Sequence, residues 1–487
     1  MNSSFDEPAT KNRHTHRKVL MFSLLTTTFL SACAVGKPPI YANSPDFRVA
    51  SRWSGFSESE PQLVDNGWLK SFKSARLEAL VEEALENNRD IRMASARLAE
   101  SRARARQAGA QAVPSLTGTF EAGVENELDS ATPDRNDFEF GLDVSWEADL
   151  WGRIRGDRTA AALDSVAESL LYEYTRQSIA AQVTDYWIVI NGNRSLLEIS
   201  RSEVRSRSRT LENVRARIAE LSALGVDENR AAANLALAEN RVAEAEGNLA
   251  QSIRALEVLL GRYPDAELDV YEALPHVSSR VTVGLPSQLL ERRPDVIAAD
   301  RQVAAAFFRK NEAQAARLPR ITLSASLTGP GDTIDAALDP QNIIWRLAGG
   351  ILAPILDGGA LKEEVEVANA RQEAALANYG AVALNAFKEV EDALSNQRVM
   401  LNRLVHLNRA EREFRAAIRG EEERYEAGEI DLFRLSDTRL DFFNVQRGVV
   451  AVRVAYLRNR VQLHLALGGS FEVTPPAQET EADSENT

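Results

Sequence analysis

Two proline-free stretches constrain this 487-residue chain more than any other feature. No proline occurs from 134 to 263, and none from 355 to 474. Proline inside a helix costs ~3 kcal/mol or more, so these gaps are where long helices can run. Leu197, Val204, Leu211 and Ile218 lie seven apart, and Phe387, Leu394 and Leu401 repeat the spacing in the second stretch. Heptads sustained in this way argue for coiled-coil packing rather than a globular core. A helix from about 153 to 220 would reach ~100 Å at 1.5 Å per residue, longer than an ordinary soluble domain needs. Alanine is dense along both stretches and lets neighbouring helices approach closely.

The two stretches belong to a tandem duplication. Residues 85–117 laid over 290–322 without a gap bring Leu85, Glu86, Asp90 and Ala94 onto Leu290, Glu291, Asp295 and Ala299. Farther on, Ala108, Ala110, Pro114 and Thr117 meet Ala313, Ala315, Pro319 and Thr322, and DLWG (149–152) falls on ILDG (355–358) after one inserted residue. Each half holds one short β region among its helices. In DFEFGLDVSWEADLWGRIR (137–155), Phe138, Phe140, Leu142, Val144 and Trp146 alternate with Asp137, Glu139, Asp143 and Glu147. Leu116–Val124, Ile321–Leu327 and Ile343–Ile351 alternate similarly, the last with weaker contrast. A soluble sheet could use the pattern, and so could a transmembrane barrel with one face in lipid and one in a watery lumen. Segments of nine to eleven residues match the length of a transmembrane strand. Four strands cannot close, and an open edge in lipid leaves backbone groups unpaired, so the chain must oligomerise if they enter a membrane. Three copies give twelve strands, wide enough for a lumen. Phe138, Phe140, Leu142, Val144 and Trp146 are then expected to face lipid, and Asp137, Glu139, Asp143 and Glu147 to line water.

The N-terminus supplies an address. VLMFSLLTTTFL (19–30) follows Arg13, Arg17 and Lys18 and precedes Ser31 and Ala32, the arrangement of a secretory signal; a short buried helix is the alternative. Cys33 is the only cysteine, which excludes disulfides within the chain. Leu30-Ser31-Ala32-Cys33 matches the bacterial lipobox, implying cleavage before Cys33 and covalent lipid there. Several acyl chains anchor stably where one is marginal, and Ala34 and Val35 lack the aspartate that retains lipoproteins at the inner membrane. No run of 18 apolar residues predicts a transmembrane helix. A net charge of −14 and a pI near 5.1 argue against a nucleic-acid partner.

SWEADLWGRIRGDRTAA (145–161), LPSQLLERRPDVIAADRQVAAA (285–306) and APILDGGALKEEVEVANARQEAAL (353–376) resemble the signature segments of the TolC-type outer membrane factors, closest to the lipoprotein subgroup of multidrug efflux pumps. The resemblance implies a trimeric membrane α+β fold. Four strands per chain would join one twelve-stranded barrel, continuous with a long periplasmic helical barrel and built from an internal tandem repeat. The corresponding organisation is a signal peptide (1–32), a lipidated extended segment (33–74), repeat one (75–262, hairpin at about 115–149), an equatorial linker (263–285), repeat two (286–468, hairpin at about 320–354) and a disordered acidic tail (469–487). It also implies a periplasmic adaptor and an inner-membrane transporter, RND-type for this subgroup.

Within that resemblance, RYEAGEIDLFRLSDTRLDFF (424–443) is similar to the family's helix-turn-helix tip, matched at Arg424, Tyr425 and Gly428. Counting back from the terminal ALG of each half sets Arg217 opposite Arg424 and Leu221 opposite Gly428. The first tip therefore departs from the pattern, with Gly225 four residues late: its turn has moved or its geometry differs. These tips are the expected adaptor-docking points. Phe433 and Asp437, four apart on one helical face, would form an apolar constriction and an acidic ring at the periplasmic gate, against the plainer alternative of a core contact and a solvated carboxylate. Catalytic chemistry is scarce: HExxH, GxxxxGK[ST] and GxGxxG after a strand are all missing, His276, His406 and His464 are scattered, and EEER (421–424) reads as a solvated face. No cofactor or metal is expected. The expected function is an outer-membrane exit duct passing small toxic molecules passively in a tripartite efflux system. The alternatives are the same channel in protein secretion or metal-ion export, or a lipid-tethered coiled-coil scaffold without a pore.

Overall fold

A computed structural model describes residues 49–54, 66–125, 135–220, 224–275 and 281–472. The signal segment 1–32, Cys33, Leu221 and residues 473–487 lie outside the described residues; the first part of the tail expected at 469–487 is not disordered, since Phe471 is buried, Ser470 accepts from the Gly67 amide and Glu472 pairs with Arg176. Each half of the chain gives the same succession: two short helices, a hairpin, a very long helix and a shorter one. The first half comprises α1 (Ala75–Asn87), α2 (Arg89–Ala110), β1 (Ser115–Glu125), β2 (Arg135–Ala148), α3 (Arg153–Ala219) and α4 (Gly225–Leu259). The second comprises α5 (Pro286–Arg292), α6 (Pro294–Ala315), β3 (Arg320–Gly331), a one-turn helix α7 (Ile334–Ala337), β4 (Ile344–Leu352), α8 (Ala360–Glu426) and α9 (Leu432–Ala466). Both long helices have 67 residues and both shorter ones 35, so the duplication is kept to the residue. Among the described residues no helix is long and apolar enough to cross a membrane.

The chain divides into two compact units. One holds the described parts of 101–165 and 301–376, including a four-stranded antiparallel sheet in the order β1-β2-β3-β4. The outer pairings are the two hairpins, and the central β2–β3 pairing joins the repeats, so that Leu142 meets Leu327 and Trp146 meets Leu323. Directly opposed residues share a face. Register therefore gathers Leu116, Phe120, Phe138, Phe140, Leu142, Val144, Trp146, Leu323, Leu327, Trp345 and Leu347 on one face. The opposite face carries Glu121 against Glu139, Thr117 against Asp143 and Ser326 against Arg346. Ile343 falls one residue before β4, outside the strand that was expected to include it. Aspartates cap the exits from the sheet: Asp149 accepts from the amides of Ile154 (3.1 Å) and Arg155 (2.9 Å), and Asp357 from those of Gly359 and Leu361 (2.9 Å each). Glu147, expected to line water, has a partner on the polar face. The Arg153 guanidinium grips both its carboxylate oxygens at 3.0 Å.

The other unit holds the described parts of 42–100, 166–300 and 377–487. Its core gathers the middle of α3 (Ile179, Val183, Trp187, Ile188) with α1, Trp68, Phe72, Leu268, Val270 and the end of α9. The breaks between the short helices repeat a single device with different residues. In the first half, Asn88 accepts from the amides of Asp90 and Ile91 and donates to the Leu259 carbonyl at 2.9 Å. In the second, the buried Arg293 takes that place, held by Asp295 and Glu389 and donating to the Ala466 carbonyl at 3.3 Å. Carboxylates on two sides raise the Arg293 pKa despite its burial. The last helix of each half then ends on a left-handed glycine, Gly261 (φ 73°) and Gly468 (φ 67°), pressed against the backbone of Asn87 and Arg292 respectively.

His464 lies in the last turn of α9, stacked on Trp68 with ring centroids 5.8 Å apart, and neither ring nitrogen has a hydrogen-bond partner. Burial, reinforced by the Arg460 charge, pushes its pKa down to about 3. The folded state keeps the ring neutral while the unfolded chain protonates near pH 6.5, so stability is complete above pH 6.5 and is lost as pH falls. The loss is about 1.4 kcal/mol per pH unit in that window, and thermal melts of His464→Phe at pH 7 and pH 5 should show a flatter acid limb than the parent. Gly261→Ala combines a strained φ with collision against the Asn87 carbonyl, and should lower the midpoint of thermal unfolding by an amount corresponding to roughly 1–3 kcal/mol.

Candidate functional site: the helical tips

The tips of the two long helix pairs bring most of the singled-out residues together. At the end of α8 the Gly428 amide donates to the Tyr425 carbonyl (3.0 Å) and the Glu429 amide to the Arg424 carbonyl (2.9 Å), with Gly428 at φ 75°. This pair of bonds around a left-handed residue is the Schellman arrangement, which satisfies carbonyls that a helix end leaves open. The chain then turns through Glu429 and Ile430 to Asp431, whose carboxylate caps α9 by accepting from Phe433 (2.7 Å) and Arg434 (3.0 Å). The first tip is built differently. Among the described residues it has no left-handed glycine; Gly225 opens α4, and the Leu224 amide donates to the Asp227 carboxylate at 3.1 Å. The turn itself, 221–223 with Leu221, lies outside the described residues, so both alternatives offered by the sequence stand.

Ion pairs hold each helix pair together. Arg215 to Glu228 (2.8 Å) spans α3 and α4; Arg434 to Glu421 (3.4 Å) and Arg439 to Glu422 (2.6 Å) span α9 and α8. The EEER run is thus not merely a solvated face: its first two glutamates bind the neighbouring helix. Arg424 closes locally on Glu429 at 3.0 Å, and Arg217 stands exposed in the last turn of α3. Tyr425 is half-buried. It packs, with Ile218, Leu235 and Phe433, on a small core of Leu211, Val214, Ala231 and Leu432.

Between the two pairs lies a set of contacts that sequence reasoning missed. Arg230 of α4 sets its guanidinium 4.5 Å from the Phe433 ring centroid and 3.4 Å from the Asp437 carboxylate. Asp437 is therefore no lone acidic residue; one arginine touches both expected gate residues at once. Beside it, the buried Arg207 of α3 donates to Ser436 at 2.6 Å, and burial lowers its pKa while Glu203 and Asp437 act against that. Glu203, with no exposed surface, accepts from Arg241 of α4 (2.8 Å) and Arg447 of α9 (2.9 Å). Exposed pairs such as Arg230–Asp437 contribute about 0–1 kcal/mol. The Glu203 bridge is desolvated, so losing either arginine leaves a buried carboxylate short of charge. Strength therefore sits along the shafts, and the outermost contact is the weak one. Among the described residues no group of three or more His, Cys, Asp or Glu side chains is placed to hold a metal ion.

Comparison with known proteins agrees with this anatomy. The family described as Outer membrane efflux protein matches twice, over residues 80–262 and 285–469, which are the two repeats. The chain is 31% identical over 477 residues to the Pseudomonas aeruginosa PAO1 pyoverdine export outer membrane protein OpmQ, covering 92% of this chain and 98% of OpmQ. It is 26% identical over 424 residues to the cation efflux system protein CusC of Escherichia coli K12, covering 85% and 92%. Its structure superposes on that of the outer-membrane channel OprN with a TM-score of 0.82 and 27% identity, covering 90% of this chain and all of that one. The structural neighbours are trimeric channels with a helical barrel and a tandem repeat, and this duplicated, mostly helical chain has the same fold. The chain belongs to the outer membrane efflux protein family.

Proposed function

We propose that three copies of this chain form a passive exit duct in the bacterial outer membrane, for small toxic compounds delivered by a tripartite pump. The observation that carries this reading is the sheet: one continuous apolar face, with two edge strands, β1 and β4, that find no strand partner among the described residues. Pairing β1 of each copy with β4 of the next closes twelve strands and satisfies every edge. The face from Phe138 to Trp146 then meets lipid, and Asp137, Glu139 and Asp143 meet water, with Glu147 neutralised by Arg153. Lipid on Cys33 supplies a second attachment. The relatives named for pyoverdine export and for cation efflux share this fold, which supports a duct that passes what its transporter supplies. The energy and the choice of cargo fall to an RND-type inner-membrane transporter, and a periplasmic adaptor joins it to the tips around Arg217, Leu221, Arg424, Tyr425 and Gly428. The duct needs no catalysis and no cofactor beyond the lipid.

The tips act as the gate. Arg230 ties α4 to α9 through Phe433 and Asp437, and a contact this weak can be released when the adaptor displaces one helix pair from the other, while the Glu203 bridge keeps the shafts aligned. Single-channel conductance of purified trimers in planar bilayers tests the reading. The parent should conduct weakly, and Asp437→Ala and Arg230→Ala should each raise conductance several-fold; unchanged conductance in both variants removes this contact from the gate. Folded protein that never conducts, even with both substitutions, would favour the tethered scaffold. The acidic lumen also sets a sign: reversal potentials in a salt gradient should show cation preference, weakened by Asp143→Asn, and anion preference would refute it.

A further inference from the structure

The connection between β3 and β4 is folded rather than loose. Thr333 caps α7 by accepting from the Ala336 amide (3.2 Å), and Asn342 donates to the Ala336 carbonyl at 2.8 Å. Asp339 accepts from the Gln341 amide at 2.9 Å. The helix lies on the apolar face of the sheet. A side chain added at Gly329 would run into the Ala337 carbonyl oxygen, and one at Gly331 into the Ala337 amide nitrogen and the Ala336 carbonyl carbon. Both glycines sit on the face of Phe138 and Phe140, which they oppose in the register. Two glycines in alternation thus clear a seat, and Ala337, 1% exposed, fills it.

What the helix turns outward is the unexpected part. Ile334 and Leu338, four apart and so on one side, are 51% and 55% exposed, continuing the apolar face beyond the end of β3. A hydrogen-bonded loop that hides an alanine and displays an isoleucine and a leucine is poorly suited to water. Its height is informative. From Ile321 to Gly329 the strand runs eight residues, ~26 Å along its axis and ~20 Å across a membrane at ~40° tilt. A barrel's apolar band is about 25 Å tall, so the seat falls at its far boundary, where the hydrocarbon meets the headgroups.

We propose that this loop is a lipid-binding collar: α7 rests on the outside of the barrel and sets Ile334 and Leu338 into the acyl-chain boundary of the outer leaflet. The proposal rests on the reading that the apolar face meets lipid. Partial insertion by a short element, ~5–10 Å deep, is the mode of interfacial helices, and continuity with the Phe138–Phe140 strip is what selects lipid as the occupant.

The test uses the full trimer in liposomes with a polarity-sensitive thiol label on Ile334→Cys, Leu338→Cys, Asp335→Cys or Val144→Cys, and the chain without an added cysteine as the blank. Quenchers are nitroxide lipids labelled high or low on the acyl chain, and aqueous iodide. The expected result is several-fold stronger quenching by the high nitroxide at 334 and 338 than at 335, iodide quenching at 335, and quenching of 144 by the low nitroxide. Gly331→Val should unseat the helix and shift 334 towards iodide while leaving 144 unchanged. If 334 and 338 respond to iodide as 335 does while 144 still responds to lipid, the collar is refuted and the barrel stands. If 144 is also silent to lipid, both readings fall.

Discussion

The hydrogen bonds between β2 and β3 are the interaction on which the molecule depends. They run between the two repeats, whereas the other strand pairings are local hairpins. Without them each repeat would own a two-stranded ribbon, which is marginal in isolation and has two exposed edges. With them the chain owns one four-stranded sheet whose apolar residues are in register across both halves. Register matters because the side-chain period is two: a slip of one residue would carry Phe140 and Trp146 to the polar face and Asp143 to the apolar one. The exits from the sheet are fixed as firmly, since Asp149 and Asp357 launch the long helices directly from the strands.

A large part of this fold was legible in the residues. The proline gaps and heptads located α3 to within a residue or two, and the alternation at 137–147 located β2 and its two faces. These signals are readable because they are periodic and local. The left-handed Gly428 was readable because few residues tolerate that backbone conformation. The tip contacts were not readable for the opposite reason. Arg230 to Asp437, Arg207 to Ser436 and Glu203 to Arg447 each span more than 200 residues of chain, and arginines and glutamates are so common here that none stands out. The same blindness hid the partners of EEER and Glu147, since Arg434, Arg439 and Arg153 come from other elements or from across a turn. Charge in a sequence shows where an ion pair is possible; which pair forms is decided by packing.

The two repeats also show how one requirement can be met by different chemistry. Each must fasten the break between its first two helices to the end of its last helix. Asn88 does so with a neutral amide, and Arg293 with a buried cation that then needs Asp295 and Glu389. The glycine that receives the break is the same in both, because close backbone approach leaves no substitute. Duplicated halves are thus free to drift where a side chain reaches a carbonyl, and are held where backbone meets backbone.

The equal lengths of the helices have a consequence for how such a chain can change. Removing one residue from α3 would shorten it by ~1.5 Å and turn everything beyond by ~100°, carrying Glu203 away from Arg447 and Leu211 out of the tip core. Length is therefore under a constraint that composition is not, since surface residues can be exchanged freely while insertions and deletions cannot be absorbed. Gain or loss of residues should be confined to the strand connections and the termini, unless both 67-residue helices and both 35-residue ones change together.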